Sequence, residues 1–295
     1  MKELFIHRKF TAKSETVIAQ ANAIIEEYDA QGFTLTLRQI YYQFVARTWL
    51  PNTVKSYKRL GSVLNDARLA GKIDWDAMED RTRYLNAYQT WERPQDSLQV
   101  AASRYRRDWW DKQKFRPEVW IEKDALTGVI EPVCREFQVP YYACRGYSSQ
   151  SEQYRASKRI AGHLNEGRNV RIFYLGDHDP SGMDMTRDHD DRLEMFLSDT
   201  DAAEGCKVIR VALNMDQVRR YNPPPNPNKE TDSRTGAYTR EFGPQCWELD
   251  ALNPPVIAGL LRAKILQLIN QQALKKTKRQ EQRERNRMQD LIARL

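Results

Sequence analysis

The chain has 295 residues, with 47 Lys and Arg against 40 Asp and Glu, which leaves a formal surplus of seven positive charges. This length predicts two domains, and the surplus suits an acidic partner such as nucleic acid without requiring one. No apolar run approaches the roughly 20 residues of a membrane helix. The four cysteines form no CxxC pair, which excludes a zinc ribbon and a disulfide framework. We therefore expect an intracellular soluble protein with no signal peptide and no membrane partner.

Residues 1–83 are predicted to form a helical, winged-helix (CAP-like) DNA-binding domain. A first helix follows a Ser14 cap, a second is stopped by Pro51, and a third follows an Asn52 cap. Three helices of which the third is the most basic are typical of helix-turn-helix and winged-helix proteins.

The third helix has an apolar side and a basic side. Core spacing is found at Val54, Tyr57, Leu60, Leu64 and Ala67. The basic residues left facing outward suit contact with DNA phosphates: Lys55, Lys58, Arg59 and Arg68. A solvated helix face would have the same pattern, so the residues alone leave both interpretations open.

Residues 84–117 are predicted to connect this domain to the next. They contain SRYRRDWWDKQKFRP, in which arginine and aromatic side chains interleave. Such a segment suits a stacking platform for nucleic acid. It equally suits aromatic side chains that dock the connector onto its neighbour while the arginines stay in solvent.

Residues 118–295 are predicted to form an α/β domain with a mostly parallel sheet. Strands and helices alternate from Glu118 onward, and functional groups in such folds gather at the carboxyl ends of strands. A Pro- and Asn-rich loop at 222–237 is expected to be functional or disordered. The basic C-terminal helix is predicted to be a solvated surface helix rather than a DNA-gripping arm.

Three carboxylates follow predicted strands of this domain. Asp177 and Asp179 come directly after one apolar run, and Glu122 follows another. If the two strands are neighbours, the three carboxylates converge, and hard oxygen ligands suit Mg²⁺. The alternative is a set of solvated and helix-capping acids. His178 and His189 lie nearby and also allow a His-carboxylate metallohydrolase, although the histidines form no further cluster.

A family resemblance appears at these residues. The segments WIEKDAL, CRGYSS, YLGDHDPSGMDM and WELDAL together resemble the A subunit of topoisomerase VI and the related meiotic double-strand-break protein. The short chain is most similar to compact standalone mini-A relatives found on plasmids and viruses. The resemblance covers 34–252 and implies a Toprim domain after the winged helix. It also implies Mg²⁺ bound at Glu122, Asp177 and Asp179.

The segment LRQIYYQF carries the other half of the resemblance. Arg38 to Tyr42 matches the family motif Arg-x-(Ile/Leu)-aromatic-Tyr, which implies that Tyr42 is the nucleophile. Helical spacing independently places Tyr41 in a core stripe and Tyr42 about 100° away, on the face of Arg38. We therefore predict that Tyr42 is exposed and can meet a phosphate. A simple surface tyrosine is the alternative.

The resemblance implies DNA cleavage by transesterification, with a 5′-phosphotyrosine link. A phenol with an ordinary pKa near 10 needs help at neutral pH, which Arg38 and a general base would supply. Mg²⁺ held by Asp177 and Asp179 would neutralise charge on the phosphate. Glu122 would hold the metal or pass a proton to the leaving 3′-oxygen. Arg145, in CRGY, is carried over as a DNA contact.

The resemblance also implies partners and a location. In the family each site pairs the tyrosine of one subunit with the Toprim domain of the other, so a homodimer on double-stranded DNA is implied. The chain has no GxxxxGK[ST] loop, so strand passage would need a separate ATPase subunit. The expected location is the nucleoid-associated cytoplasm, or the host cytoplasm for a viral or plasmid protein.

Two alternatives of other classes stay open. One is a hydrolytic Toprim nuclease that cleaves DNA with water and does not use Tyr42. The other is a non-catalytic winged-helix DNA-binding protein with a vestigial acidic cluster.

Overall fold

The computed structural model describes residues 1–78, 88–198, 203–227 and 232–294. Three helices come first: α1 (Ala12–Asp29), α2 (Leu37–Ala46) and α3 (Val54–Leu69). After α4 (Pro94–Arg104), strands and helices alternate: β1 (Phe115–Ile121), α5 (Thr127–Phe137), β2 (Tyr141–Ala143), α6 (Gln150–Asn165), β3 (Asn169–Leu175), α7 (Pro180–Leu197), β4 (Cys206–Ala212) and α8 (Met215–Tyr221). The last elements are β5 (Asn226–Pro227), α9 (Thr235–Phe242), β6 (Gln245–Cys246), α10 (Pro254–Leu266) and α11 (Gln271–Ile292).

The central sheet confirms the predicted α/β class. Its four strands are parallel and lie in the order β2-β1-β3-β4, while β5 and β6 form a separate antiparallel pair. Alternate residues of β1 and β3 face opposite sides of the sheet and enter two apolar cores, one with α5 and α10 and one with α6 and α7. Because Ile121 pairs with Leu175, β1 and β3 end side by side.

The three N-terminal helices are present, but their caps differ from the prediction. Thr11, not Ser14, caps α1, since its side chain accepts from the Ser14 amide. Thr53 rather than Asn52 caps α3. Helix α2 ends at Ala46, well before Pro51. For α1 and α3, the helix begins after the residue whose hydroxyl accepts from the third amide of the helix.

The predicted apolar stripe of α3 is shorter than expected. Val54 is exposed, whereas Leu60, Leu64 and Ala67 are buried in the helical core. Residues 1–78 form isolated β-bridges, Leu4 with Ala70 and Leu35 with Met78, rather than the hairpin of a wing. The described part of the chain contains no helix that is long and apolar enough to cross a membrane.

Residues 251–253, which follow the sheet in the chain, attach the three N-terminal helices to the sheet domain. Tyr28 Oη and Gln43 Nε2 both donate to Asn253 Oδ1, at 3.1 and 2.8 Å. Ala251 is buried among the residues of α1, α2 and α3. The chain therefore returns to its N-terminal helices after completing the sheet, and this contact brings α2 against the edge where β1 and β3 end.

The connector uses its aromatic side chains for docking. The predicted boundary at 83–84 lies outside the described residues, but Trp110 is buried and donates to Phe137 O at 2.8 Å. Trp109 Nε1 donates to Glu281 Oε2 at 2.9 Å. Of the two interpretations of SRYRRDWWDKQKFRP, these contacts favour docking over a free stacking platform.

Candidate active site

Glu122 and Asp177 lie next to each other at the carboxyl edge of the sheet. The Asp177 amide donates to Glu122 Oε2 at 2.8 Å, so the two strand ends are neighbours, which is the condition for the carboxylates to converge. Asp177 is buried: its Oδ1 accepts from the Leu249 amide at 2.8 Å and its Oδ2 lies 2.9 Å from Lys123 Nζ. Burial raises the pKa of both carboxyls. The groups that donate hydrogen bonds to them, together with the charge of Lys123, offset part of this rise.

Asp179 is held differently from Asp177. Its Oδ1 accepts from the Gly182 amide at 2.6 Å and from Ser181 Oγ at 2.9 Å, so it caps α7. The helix-capping alternative therefore describes Asp179 in this conformation. Its carboxyl still lines the same cavity as Asp177.

Lys123 is a largely buried cation surrounded by three carboxylates. Its ammonium lies 2.9 Å from Asp177, 2.8 Å from Glu248 and 2.9 Å from Asp250. Burial acts to lower the pKa of Lys123, but the three carboxylates outweigh burial and hold it well above its ordinary value. Lys123, Glu248 and Asp250 were not predicted as site residues, although they lie inside the IEKDAL and WELDAL segments.

Arg210 supports the loop that carries the two aspartates. From β4 its guanidinium donates to the carbonyl oxygens of Gly176, Asp177 and Gly182, and to Thr186 Oγ1 at 2.7 Å. Burial lowers the pKa of Arg210, and the neighbouring carboxylates oppose this effect. No sequence motif pointed to Arg210, because its partners are brought to it only by the pairing of β3 with β4.

Gly182 is required where α7 begins. A Cβ there would overlap the Asp177 carbonyl oxygen, whereas a Cβ at Gly162 in α6 would meet no atom within 4 Å. We expect Gly182→Ala to lower the free energy of unfolding by about 2–3 kcal/mol, because the backbone of the aspartate loop must move. Gly162→Ala is the matched control and should stabilise by about 0.5–1 kcal/mol. Denaturant titrations of both variants test this; an unchanged Gly182→Ala midpoint would contradict it.

Tyr42 is buried, so the prediction of an exposed tyrosine was wrong. Its side chain is only 4% exposed, the same as that of Tyr41. Helix α2 is covered on more than one side, since its buried residues run without a gap from Gln39 to Phe44. Burial first and Glu248 second raise the pKa of Tyr42, while Asn226, Lys123 and Arg38 act to lower it.

The Pro- and Asn-rich loop covers Tyr42. In its described part, Asn226 Nδ2 donates to Tyr42 Oη at 3.3 Å and to Glu248 Oε1 at 3.4 Å. Asn52 Nδ2 donates to Pro225 O at 3.0 Å, which attaches the loop to the start of α3. Residues 228–231 of the loop lie outside the described residues. The described part therefore positions a polar side chain beside the candidate nucleophile.

One cavity is lined by Tyr42 together with Asp177 and Asp179, whereas Glu122 lines a separate cavity. This Tyr42 cavity has a volume of about 540 Å³, within the range of small-ligand sites. Its charged and hydroxyl-bearing lining includes Arg38, Tyr42, Lys123, Asp177, Asp179, Ser181 and Glu248. Arg38 Nη1 donates to Glu248 Oε2 at 2.7 Å, so Arg38 and Lys123 share one carboxylate beside the cavity.

The predicted DNA contacts fall into two groups. Lys55, Lys58 and Arg59 are exposed on α3. Arg68 is not free: its Nη2 donates to Trp75 O at 2.7 Å and its guanidinium lies 4.4 Å from the Trp75 ring centre. Arg145 is exposed and lies 3.0 Å from Asp124. The outward prediction thus fails for Arg68, because its aliphatic stem and head pack on an aromatic residue beyond the helix.

The histidines do not join the carboxylates. His178 Nδ1 lies 2.6 Å from Tyr238 Oη, within a group of rings formed with Phe242 and Trp247. His189 is buried between Trp120 and Tyr174, and its Nδ1 lies 2.6 Å from Gln153 Nε2. Both rings pack in the protein interior and have hydrogen-bonding partners there other than the carboxylates. This argues against the metallohydrolase alternative.

His189 makes stability depend on pH. Burial, with Arg192, lowers the pKa of His189 to about 4, below the unfolded value of about 6.5. Its contribution to stability is full above pH 6.5 and is lost as the pH falls toward 4. We expect wild type to lose about 2 kcal/mol from this residue between pH 7.5 and 5, measured by denaturant unfolding. His189→Gln should lose about 2 kcal/mol less stability than wild type over this pH range. The exposed control His7→Gln should lose as much as wild type. A loss in His189→Gln equal to that of wild type would contradict the prediction.

The site offers oxygen ligands suited to a hard cation, although not in a preformed cage. Within the described residues, no three His, Cys, Asp or Glu side chains are grouped closely enough to hold a metal ion. The buried carboxylates nevertheless gather around a positive charge, that of Lys123. This excess of carboxylate oxygens at the sheet edge fits a divalent cation in type and charge.

The comparisons with known proteins identify no family. The chain matches no protein-family model and no curated protein. The resemblance carried by IEKDAL, GDHDPSG and LRQIYY is therefore the source of a proposal, and the residue geometry is what supports it.

Proposed function

We propose that the protein cleaves double-stranded DNA by transesterification, in the manner of the topoisomerase VI A subunit, with a Toprim domain as its sheet domain. The observation that carries this proposal is the shared cavity: Tyr42 from α2 lines the same space as Asp177 and Asp179 from the sheet edge. Tyr42 and the two aspartates lie on distant parts of the chain and yet line one cavity of about 540 Å³, which supports a joint role on a phosphate.

In the reaction, the Tyr42 oxygen attacks a backbone phosphorus. A bond forms between phosphorus and the phenol oxygen, the bond to the 3′-oxygen breaks, and the phenol proton leaves as the 3′-hydroxyl gains one. Arg38 and Lys123 both favour the phenolate, because their charges act to lower the pKa of Tyr42. Lys123 would also bind a phosphate oxygen once it released one of its three carboxylates, because an ammonium has only three N–H donors.

Glu122, Asp177 and Asp179 are the residues that would hold Mg²⁺. When bound there, the ion supplies positive charge that stabilises the phosphate and the leaving oxygen. Both hydrogen bonds of the helix cap end on Asp179 Oδ1, so its Oδ2 would bind the ion while the cap is kept. Arg210 would hold the loop backbone in place when the ion binds, since its bonds go to carbonyl oxygens rather than to the carboxylates.

A hydrolytic nuclease is the second candidate, and the burial of Tyr42 favours it. The phenol has a raised pKa and is covered by Asn226, so a water molecule in the same cavity competes as the nucleophile. Both candidates need Asp177, and only the first needs the Tyr42 hydroxyl. A homodimer with exposed Lys55, Lys58 and Arg59 on the duplex would cut both strands in either case.

The test is incubation of the protein with supercoiled plasmid and Mg²⁺, followed by detergent, with and without protease. We expect broken DNA that stays attached to protein until protease is added, with the linked peptide containing Tyr42. Broken DNA that carries no protein would assign the hydrolytic nuclease. Intact DNA that is bound in a gel shift would assign the non-catalytic DNA-binding protein.

A further inference from the structure

Helix α11 carries most of the excess positive charge of the chain. Gln271–Ile292 contains seven Lys and Arg residues against three acidic ones, a surplus of four within a chain whose surplus is seven. The helix is 22 residues long and packs on the chain along one side, mainly against the α4 region. Its charges are therefore sorted between an inward and an outward face.

Two of the three acidic side chains of α11 face the protein and accept hydrogen bonds from the connector. Glu281 is buried, and its Oε2 accepts from Trp109 Nε1 and from the Arg107 amide, both at 2.9 Å. Glu284 accepts from Tyr105 Oη at 2.6 Å and from Arg107 Nη1 at 2.7 Å. These carboxylates are bound to the connector and cannot screen the other face of the helix.

The outward face presents a basic stripe formed by Lys276, Arg279, Arg283 and Arg287. All four are exposed, and no ion pair joins them to any residue of the described ranges. They lie at i, i+3, i+7 and i+11, which is one side of a helix over a length of about 16 Å. Beyond Arg287 the stripe ends at Asp290 and the exposed Leu291.

We propose that this basic stripe is a second contact surface for duplex DNA, which holds backbone phosphates outside the Tyr42 cavity. The inference rests on the proposed function only in taking DNA as the partner. Each DNA strand carries one charge per about 3.4 Å of axis, so a 16 Å stripe faces about five phosphates. Three of its four cations are arginines, whose planar heads bind phosphate through paired hydrogen bonds.

The composition of the stripe argues against an anionic membrane as its partner. A helix that lies in a membrane surface needs a wide apolar face beside its basic one. The apolar side of α11 is taken up by the protein, with Leu274 buried, and Leu291 is a single exposed leucine at the end. Gln280, Gln282 and Asn286 flank the stripe instead, and amide side chains suit phosphate contact.

The experiment measures duplex binding by fluorescence anisotropy across a range of KCl concentrations, with EDTA present to prevent cleavage. The test protein carries Arg279→Gln, Arg283→Gln and Arg287→Gln. The matched control carries Lys13→Gln, Lys158→Gln and Lys207→Gln, which removes the same charge from exposed positions elsewhere. We expect the slope of log affinity against log salt to become shallower by about 2–3 in the test protein and to change by less than about 1 in the control.

The outcomes separate the two proposals. A shallower slope in the test protein alone supports the basic stripe. Equal slopes in the test protein, the control and wild type overturn it, while DNA binding by wild type leaves the proposed partner intact. Failure of wild type to bind any duplex overturns both. Binding to phosphatidylserine vesicles that is lost in the test protein, with the DNA slope unchanged, assigns the stripe to lipid and overturns the inference.

Discussion

Tyr42→Phe should abolish the covalent attachment of the protein to DNA and leave the fold intact. The substitution removes the only atom that can form the phosphotyrosine bond, so we expect cleavage to fall by at least about 10³-fold. Stability should change by no more than about 1 kcal/mol, because the hydroxyl accepts one long hydrogen bond, from Asn226 at 3.3 Å. Covalent complex is measured by detergent trapping, and stability by denaturant unfolding.

Tyr41→Phe is the matched control, one residue away and equally buried. The Tyr41 hydroxyl accepts from the Thr53 amide at 2.8 Å, so its loss leaves a cap amide of α3 without a partner. We expect a cost of about 1–3 kcal/mol in stability with covalent cleavage retained. The reverse pattern, cleavage lost with Tyr41→Phe and kept with Tyr42→Phe, would move the nucleophile to Tyr41. Cleavage retained by both would leave the hydrolytic nuclease.

Lys123→Met should be the most destabilising single substitution in the site. It leaves Asp177, Glu248 and Asp250 around an empty cationic position, and removal of one partner from a buried ion pair costs about 3–5 kcal/mol. The cost should shrink as the pH is lowered from 8 toward 5. Burial already raises the pKa of Asp177, and without the ammonium the folded variant takes up protons that the unfolded chain does not.

Lys207→Met provides the control for the loss of a lysine, since Lys207 is exposed. It should change stability by less than about 0.5 kcal/mol at any of these pH values. Millimolar Mg²⁺ should stabilise Lys123→Met more than wild type if the freed carboxylates accept the ion. A Lys123→Met protein as stable as wild type, without pH or Mg²⁺ dependence, would show that the ammonium does not compensate these carboxylates.

The surroundings of Tyr42, the proposed nucleophile, have opposing effects on its pKa. Removal from water raises the pKa of Tyr42, and the shared carboxylate Glu248 adds to that effect. Arg38 and Lys123 both bind Glu248 and act to lower the same pKa. Under the proposed function, a phosphate that takes over either cation would also change the surroundings of the phenol, and we expect substrate binding and activation of Tyr42 to be coupled.

The α/β domain and the position of its acidic edge were predictable from local sequence patterns. Apolar runs of strand length that end at Ile121 and Leu175, followed by Glu122 and Asp177, fix which residues leave the sheet at its carboxyl edge, because strand period and burial are local properties. The pattern did not specify that the two strands are neighbours; the pairing of β1 with β3 settles this.

The surroundings of those residues depend on contacts between segments that are far apart in the chain. A helical wheel separates Tyr41 from Tyr42 but cannot show that α2 is covered on both faces, by the helical core and by the loop that carries Asn226. Two of the three carboxylates around Lys123, Glu248 and Asp250, lie more than 100 residues away in the chain, in the WELDAL segment. On α11 the inward turn of Glu281 and Glu284 leaves four exposed cations, from Lys276 to Arg287, on one side of a helix whose sequence has mixed charge. In each case a contact between distant segments sets burial and charge, and local patterns do not encode which segments meet.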